Sequence, residues 1–158
     1  MMSRPPSSPT IRRAVERDLP AVVRLFAIPG EGTKKDQNPS DPIDPRYAEA
    51  LAAIAADAHN MLLVADLDGH VVGAFQLTVT QYVAYRGGRV GWIENVIVDP
   101  DMRGRGVGAT MMRWAIEEAR RRGCFRVQLT TNKVRKRAHA FYEGLGFTAS
   151  HEGMKLEL

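Results

Sequence analysis

One cysteine, Cys124, stands in the whole chain, so an internal disulfide and a multi-cysteine metal site are both excluded. No apolar run approaches ~18 residues, which removes a helical membrane span and leaves no reason to expect a membrane partner. His59, His70 and His151 show no ligand-like spacing, and no metal is expected. Charge of one sign is also scarce. Lys plus Arg number 22 against 18 Asp plus Glu, a net +4. That excess is split among Arg103/Arg105, Arg120-Arg121-Arg122 and Lys133/Arg135-Lys136-Arg137. A nucleic-acid binder usually presents a contiguous basic face with stacking aromatics, so no nucleic acid is expected. Residues 1–9 lack the apolar stretch of a secretory signal and read as a disordered lead before one domain at 10–158, with cytoplasmic residence as the default.

What the chain does have is concentrated between Val90 and Arg122. Val90-Gly91-Trp92-Ile93-Glu94-Asn95-Val96-Ile97-Val98 is apolar, β-branched and aromatic, the pattern of a buried strand. Asp99-Pro100 stops it, because proline fixes φ and removes a donor. Arg103-Gly104-Arg105-Gly106-Val107-Gly108 follows, and a helix runs from there to about Arg121. The first N–H groups of a helix have no internal partner and its dipole favours an anion. Strand, basic glycine turn and helix N-terminus together therefore point to a phosphorylated ligand. Two familiar phosphate motifs fail on spacing. A dinucleotide fingerprint needs glycine where Met111 stands, and a P-loop needs Lys and Ser/Thr after its last glycine. The structural alternative is that Gly104 and Gly106 shape a tight turn and Gly108 permits close helix packing.

Around this stretch the chain reads as alternating elements. Thr10–Val15 is a short strand, followed by a helix that Asp18 can cap. Gly30 to Pro45 lacks periodicity and reads as a long loop, and Tyr47–Ala56 is an alanine-rich helix. Met61–Asp66 and Val71–Tyr82 flank Asp68-Gly69 as a hairpin, and Gly87-Gly88 turns the chain into the Val90 strand. Phe125–Thr131 returns after the long helix as a parallel neighbour of that strand. A helix over about Arg135–Leu145 precedes a last hairpin, Phe147–His151 and Met154–Leu158.

Arg103-x-x-Gly106-x-Gly108 resembles the Arg/Gln-x-x-Gly-x-Gly/Ala signature of the GNAT superfamily of acyl-CoA-dependent N-acetyltransferases. A second block is similar to that family's downstream motif: Asn132-x5-Ala138-x-x-Phe141-Tyr142-Glu143-Gly144-Leu145-Gly146-Phe147. The likeness in element order covers roughly Thr10 to Leu158. It implies a mixed α/β fold with a mostly antiparallel twisted sheet of about seven strands, one parallel splayed pair and four flanking helices.

The resemblance also implies a site. Acetyl-CoA would be the cosubstrate, its pyrophosphate on the backbone of Arg103, Gly104, Arg105, Gly106, Val107, Gly108 and Ala109. Its pantetheine arm would pair like an extra strand with the Val96-Ile97-Val98 edge. Tyr142 corresponds to the family's general acid; read from the residues alone, a core aromatic beside Phe141 is the favoured reading. Glu94 interrupts an apolar strand, where a carboxylate is costly unless paired or functional, and is the candidate general base. Its alternatives are substrate positioning or an ion pair. A bulge near Asn95 would re-aim these side chains. Asn132 either contacts the cofactor arm or shapes a turn. Cys124 has no activating partner and reads as a core residue, so direct transfer in a ternary complex is expected. The acceptor expected is the primary amine of a small molecule such as an amino acid, amino sugar or polyamine. A protein N-terminus or lysine comes second, and a non-catalytic acyl-CoA-binding regulatory module is the rival of another class. The exposed edge of the last hairpin leaves a homodimer open.

Overall fold

The computed structural model describes residues 7–30 and 39–158. The lead over 1–6 and the centre of the Gly30–Pro45 loop lie outside the described residues. Five strands form one sheet in sequence order: β1 (Thr10–Arg13), β2 (Asn60–Leu67), β3 (His70–Gln81), β4 (Arg89–Val98) and β5 (Cys124–Leu129). Neighbours are antiparallel except β4 and β5, which the crossover helix makes parallel. Helices α1 (Leu19–Ala27) and α2 (Pro45–Ala56) come before β2, α3 (Ala84–Gly87) is a single irregular turn, and α4 (Val107–Arg121) and α5 (Lys136–Gly144) follow β4 and β5.

Period-two alternation sorts the sheet residues onto two faces. Met61, Leu63, Ala65, Phe75, Leu77 and Ile93 meet Val107, Met111, Met112 and Ala115 of α4, and Tyr142 of α5 joins that cluster. Leu62, Val64 and Ala74 point the other way, onto Val22 and Leu25 of α1 and Leu51 and Ile54 of α2. Phe75, Leu77, Ile93, Met111 and Met112 are fully buried. Burying each such side chain is worth about 1.5–3 kcal/mol, so this α4 layer dominates the stability of the domain.

Local chemistry sets the connections. Asp68 and Gly69 both have positive φ, 51° and 86°, the two-residue hairpin turn that asparagine, aspartate and glycine favour. Between β3 and β4 the reversal begins before the glycines, with Tyr85 and Arg86 both at φ 57°. Asp18 does not cap α1. Its carboxylate instead accepts from Arg12 Nη1 and Nη2 at 2.7 and 2.9 Å and from the Val15 N–H at 2.8 Å. Arg12 also donates to Asp66 on β2 at 3.0 Å, so this buried cluster ties the α1 entrance to the sheet edge. The Arg120–Arg122 run is only partly a solvated helix end. Arg121 and Arg122 pair with the buried Glu118, and Arg122 also donates to the Ala58 carbonyl at 2.7 Å.

The expected seventh and sixth strands do not form. Phe147 packs against the core, but 148–158 enter no ladder. The first arm is polar and turns on itself, with the Ser150 N–H donating to the Thr148 carbonyl at 3.0 Å. Its hydroxyl lies 2.7 Å from His151 Nδ1, and such local bonds compete with a ladder.

Candidate active site

The sheet opens where β4 and β5 part. Their pairing runs to Ile93 opposite Leu129 and stops, whereas β4 stays paired with β3 as far as Val98. From Glu94 to Val98 one edge of β4 is therefore free. At that point β4 carries an extra residue: Gln76 faces Glu94 but Ala74 faces Ile97, and Asn95 sits at φ 53°. This bulge falls where the sequence predicted it. Its effect is a change of parity, because Val96 and Val98 join Ile93 on the α4 face while Ile97 lies with the α1/α2 cluster.

The Arg103–Ala109 turn lies just past the open edge. Gly104 and Gly106 have φ of 73° and 80°, and a Cβ on either would meet nothing, so their role is conformational rather than steric. Gly108 differs. A Cβ there would come within 3.3 Å of Phe141 and 3.6 Å of Val98, so close packing and ligand approach use the same residue. Thr110 donates to the Gly106 carbonyl at 3.0 Å, but no backbone acceptor among the described residues takes the N–H groups of 104–109. Arg103 and Arg105 are exposed and form no salt bridge among the described residues. Free N–H groups, a helix N-terminus and two unpaired guanidinium groups fit a polyanion.

Tyr142 is 9% exposed, with its ring against Phe141 and Phe147. Burial pushes its phenol above the ordinary value, and Arg135 only partly offsets this. Thr131, two residues past β5, has a buried hydroxyl without a hydrogen-bond partner, the one such side-chain atom among the described residues. Asn132 shapes the next turn: its side chain accepts from the Val134 N–H at 3.1 Å and its carbonyl lies 3.1 Å from His139 Nε2. Cys124, half-buried at the far end of β5, is pushed up by burial and stays a thiol.

Glu94 is exposed, which overturns the burial argument made for it from the sequence. The bulge and the open sheet edge leave its carboxylate in solvent, and it has no side-chain hydrogen bond or salt bridge among the described residues. It lies on the α1/α2 face opposite Gln76, with Trp92 opposite Thr78. On that face Gln76 Nε2 donates to Asn60 Oδ1 at 2.8 Å, and Thr78 Oγ1 lies 3.4 Å from the same oxygen. Asn60, Gln76 and Thr78 were not singled out from the sequence. A period-two reading of β2 and β3 with Glu94 as reference would have found them, since cross-strand partners share a face.

The family model described as the acetyltransferase (GNAT) family matches residues 24–147. The chain belongs to that family. It is an acetyltransferase with acetyl-CoA as cosubstrate, and the unpaired β4 edge and N–H groups of 104–109 fit that group. An aminoalkylphosphonate N-acetyltransferase of Salmonella typhimurium is 34% identical over 105 residues, covering 66% of this chain and 68% of that protein. A glucosamine 6-phosphate N-acetyltransferase of Trypanosoma brucei brucei is 41% identical over 91 residues, covering 57% and 59%. The matched part thus spans about six to seven tenths of these relatives. Among solved structures, a Bacillus halodurans protein described as a transcriptional regulator superposes with a TM-score of 0.90 at 41% identity, covering 95% of this chain and 99% of that one. A Trypanosoma brucei acetyltransferase gives a TM-score of 0.77 at 28% identity, covering 95% and 99%. No helix among the described residues is long and apolar enough to cross a membrane, and no cluster of potential metal ligands occurs among them.

Proposed function

We propose that this acetyltransferase moves the acetyl group of acetyl-CoA to the primary amine of a small molecule, an amino acid, amino sugar or polyamine, by direct transfer in a ternary complex. The observation that carries this reading is the opening of the β4/β5 pair beside the Asn95 bulge, with Glu94 on one face and the Tyr142 cluster on the other. Two of the relatives support it, since the Salmonella typhimurium and Trypanosoma brucei brucei proteins above are N-acetyltransferases of an aminoalkylphosphonate and of glucosamine 6-phosphate.

Acetyl-CoA supplies an activated thioester. The N–H groups of Gly104 to Ala109, with Arg103 and Arg105, bind its pyrophosphate, and the free edge of Val96, Ile97 and Val98 aligns its arm. Asn132 fixes the turn bordering that arm. Glu94 takes a proton from the entering ammonium, directly or through water, so that a neutral nitrogen attacks. Because its carboxylate is open to solvent, its main contribution is to hold the nitrogen and pass the proton to water. Tyr142 donates its phenolic proton toward the leaving sulfur, a task suited to a phenol that burial holds in its protonated form. The Gln76 side-chain oxygen and the Glu94 carboxylate offer acceptors to the incoming N–H groups. A cytoplasmic location and a homodimer belong to the same reading, the first supported by the unpaired Cys124 thiol.

The test is thiol release from acetyl-CoA with panels of amino acids, amino sugars, polyamines and short peptides, alongside calorimetric titration with CoA. Turnover with a small amine and none with peptides is expected. Preference for peptides would move the acceptor to protein. CoA binding without turnover would favour a regulatory module, the reading supported by the description of the Bacillus halodurans relative.

A further inference from the structure

We propose that the Thr131 hydroxyl is a positioning group for acetyl-CoA, hydrogen-bonded to an amide of its arm on the side that β4 does not reach. Thr131 as a residue is half-buried, yet its Oγ1 is buried and has no hydrogen-bond partner among the described residues. A hydroxyl taken out of water without a partner is costly, and folded chains keep very few of them. One that persists beside a ligand opening is a group left for the ligand to satisfy.

Its place in the fold says which ligand. β5 leaves β4 after Leu129, opposite Ile93, so Thr131 is the second residue of the diverging limb. Val127 and Leu129 pack on the α4 side, and continued alternation sends the Thr131 side chain the same way. Thr130 faces elsewhere: it is exposed, and a Cβ on Gly153 would lie 3.8 Å from its methyl group. Glu94, Gln76 and Thr78 belong to the α1/α2 face, so the Thr131 hydroxyl is not one of the groups that meet the acceptor. It borders the gap onto which the free edge of β4 opens.

The hydroxyl is also held in place. The Asn132 carbonyl accepts from the Arg135 N–H at 3.0 Å and lies 3.1 Å from His139 Nε2, and the Asn132 side chain accepts from the Val134 N–H at 3.1 Å. These bonds anchor the turn next to Thr131, and a β-branched side chain has few rotamers with which to seek an acceptor in its own chain. An arm laid along β4 as a strand uses the polar groups on one side of its backbone only, and those on the other side face the departing β5. Thr131 supplies a bond on that second side, with little left to order on binding. The inference rests on the arm lying along β4 and is independent of which amine accepts the acetyl group.

The test sets Thr131→Val, which keeps the shape and removes the hydroxyl, beside Thr131→Ser, which keeps the hydroxyl. Each is titrated by calorimetry with CoA and with 3′-phospho-ADP, the same nucleotide without the arm, and is melted free of ligand. Thr131→Val should weaken CoA by about tenfold, the worth of one well-made hydrogen bond, and leave 3′-phospho-ADP within about twofold of wild type. At saturating acetyl-CoA its kcat should hold, while KM for acetyl-CoA rises with the dissociation constant. Free of ligand, Thr131→Val should melt at or above the wild-type temperature, because a buried hydroxyl without a partner has been removed. Thr131→Ser should keep CoA affinity within about threefold, since it retains the same donor and acceptor. Unchanged CoA affinity in Thr131→Val overturns the proposal. So does a lower melting temperature of that variant free of ligand, which would show that the hydroxyl serves its own chain. A fall in kcat with CoA affinity intact also overturns it, by moving the group to the reacting atoms. Equal affinity of wild type for CoA and 3′-phospho-ADP would remove the premise, the arm along β4, and the proposal with it.

Discussion

The two sides of β4 at the bulge offer different kinds of group. Toward β5 and the start of α4 they belong to the main chain: the free edge from Glu94 to Val98 and the N–H groups of 104–109. On the α1/α2 side they are side chains, Glu94 with Gln76, Thr78 and Asn60. Main-chain recognition constrains which residues must be glycine and how they are spaced. Side-chain recognition needs only that a few polar residues share a face, and it leaves no spacing signature. A cosubstrate common to many reactions suits the first kind of surface; an acceptor that differs between enzymes suits the second.

The comparison is sharpened most by Tyr142→Phe, which removes only a hydroxyl from a ring held by Phe141 and Phe147. Turnover should fall by about 10²–10³-fold, with the affinity for acetyl-CoA within about twofold of wild type by calorimetry. Any alkaline limb in the wild-type rate profile should lie above ~10, because burial raises the phenol, and should vanish in the variant. Equal losses in affinity and turnover would make Tyr142 a packing residue. Glu94→Gln comes next: a fall of about 10–10²-fold in kcat/KM for the amine is expected, with acetyl-CoA binding unchanged. A loss confined to cosubstrate affinity would collapse the distinction between the two sides.

Smaller effects test each surface separately. Gly106→Ala puts a side chain at φ 80° and costs about 1–2 kcal/mol of strain, so CoA affinity should fall roughly tenfold while the amine KM holds. Gln76→Ala should do the reverse, raising the amine KM about threefold to tenfold with the CoA titration unaltered. Neither should alter how the scaffold responds to acid. Hydrogen bonds from Arg12 hold the Asp18 carboxyl below its ordinary value, and its Val15 bond adds to this. For a depressed carboxyl, the stabilisation is complete above the unfolded pKa near ~3.9 and is lost as pH falls through the lower folded value. Thermal melts should therefore drop below about pH 4, and less steeply in Asp18→Asn, whose melting point is already lowered at neutral pH.

The legibility of the molecule follows the same division. The glycine turn with its flanking strand and helix could be read because its residue types are dictated locally by positive φ and a free helix terminus, whereas Tyr142 was singled out through the resemblance of its motif to the family's. The bulge was legible because Glu94 and Asn95 broke an apolar strand. Asn60, Gln76 and Thr78 were not, since each is an ordinary polar residue until the β2–β3–β4 register brings them together. The acid cluster of Asp18 was misread as a cap because its partner Arg12 lies on another element, and Glu118 with Arg122 was hidden in a basic run. The final hairpin failed for a different reason. Alternation specifies a strand's faces but does not say which edge will receive it.

Asn95 sets one further constraint on how such a chain can change. Read as a wave of period two, β4 slips by half a wavelength there, so Arg89–Glu94 and Val96–Val98 keep opposite phase. Removing one residue from the strand would restore a single phase. It would turn Val96 and Val98 away from α4 and exchange them with Ile97, disturbing the packed layer and the open edge in one step. Side chains along this strand can be exchanged individually, but its length is locked: the count of residues between Ile93 and Val98 is shared by the core and the site, and neither can be retuned by insertion or deletion without the other.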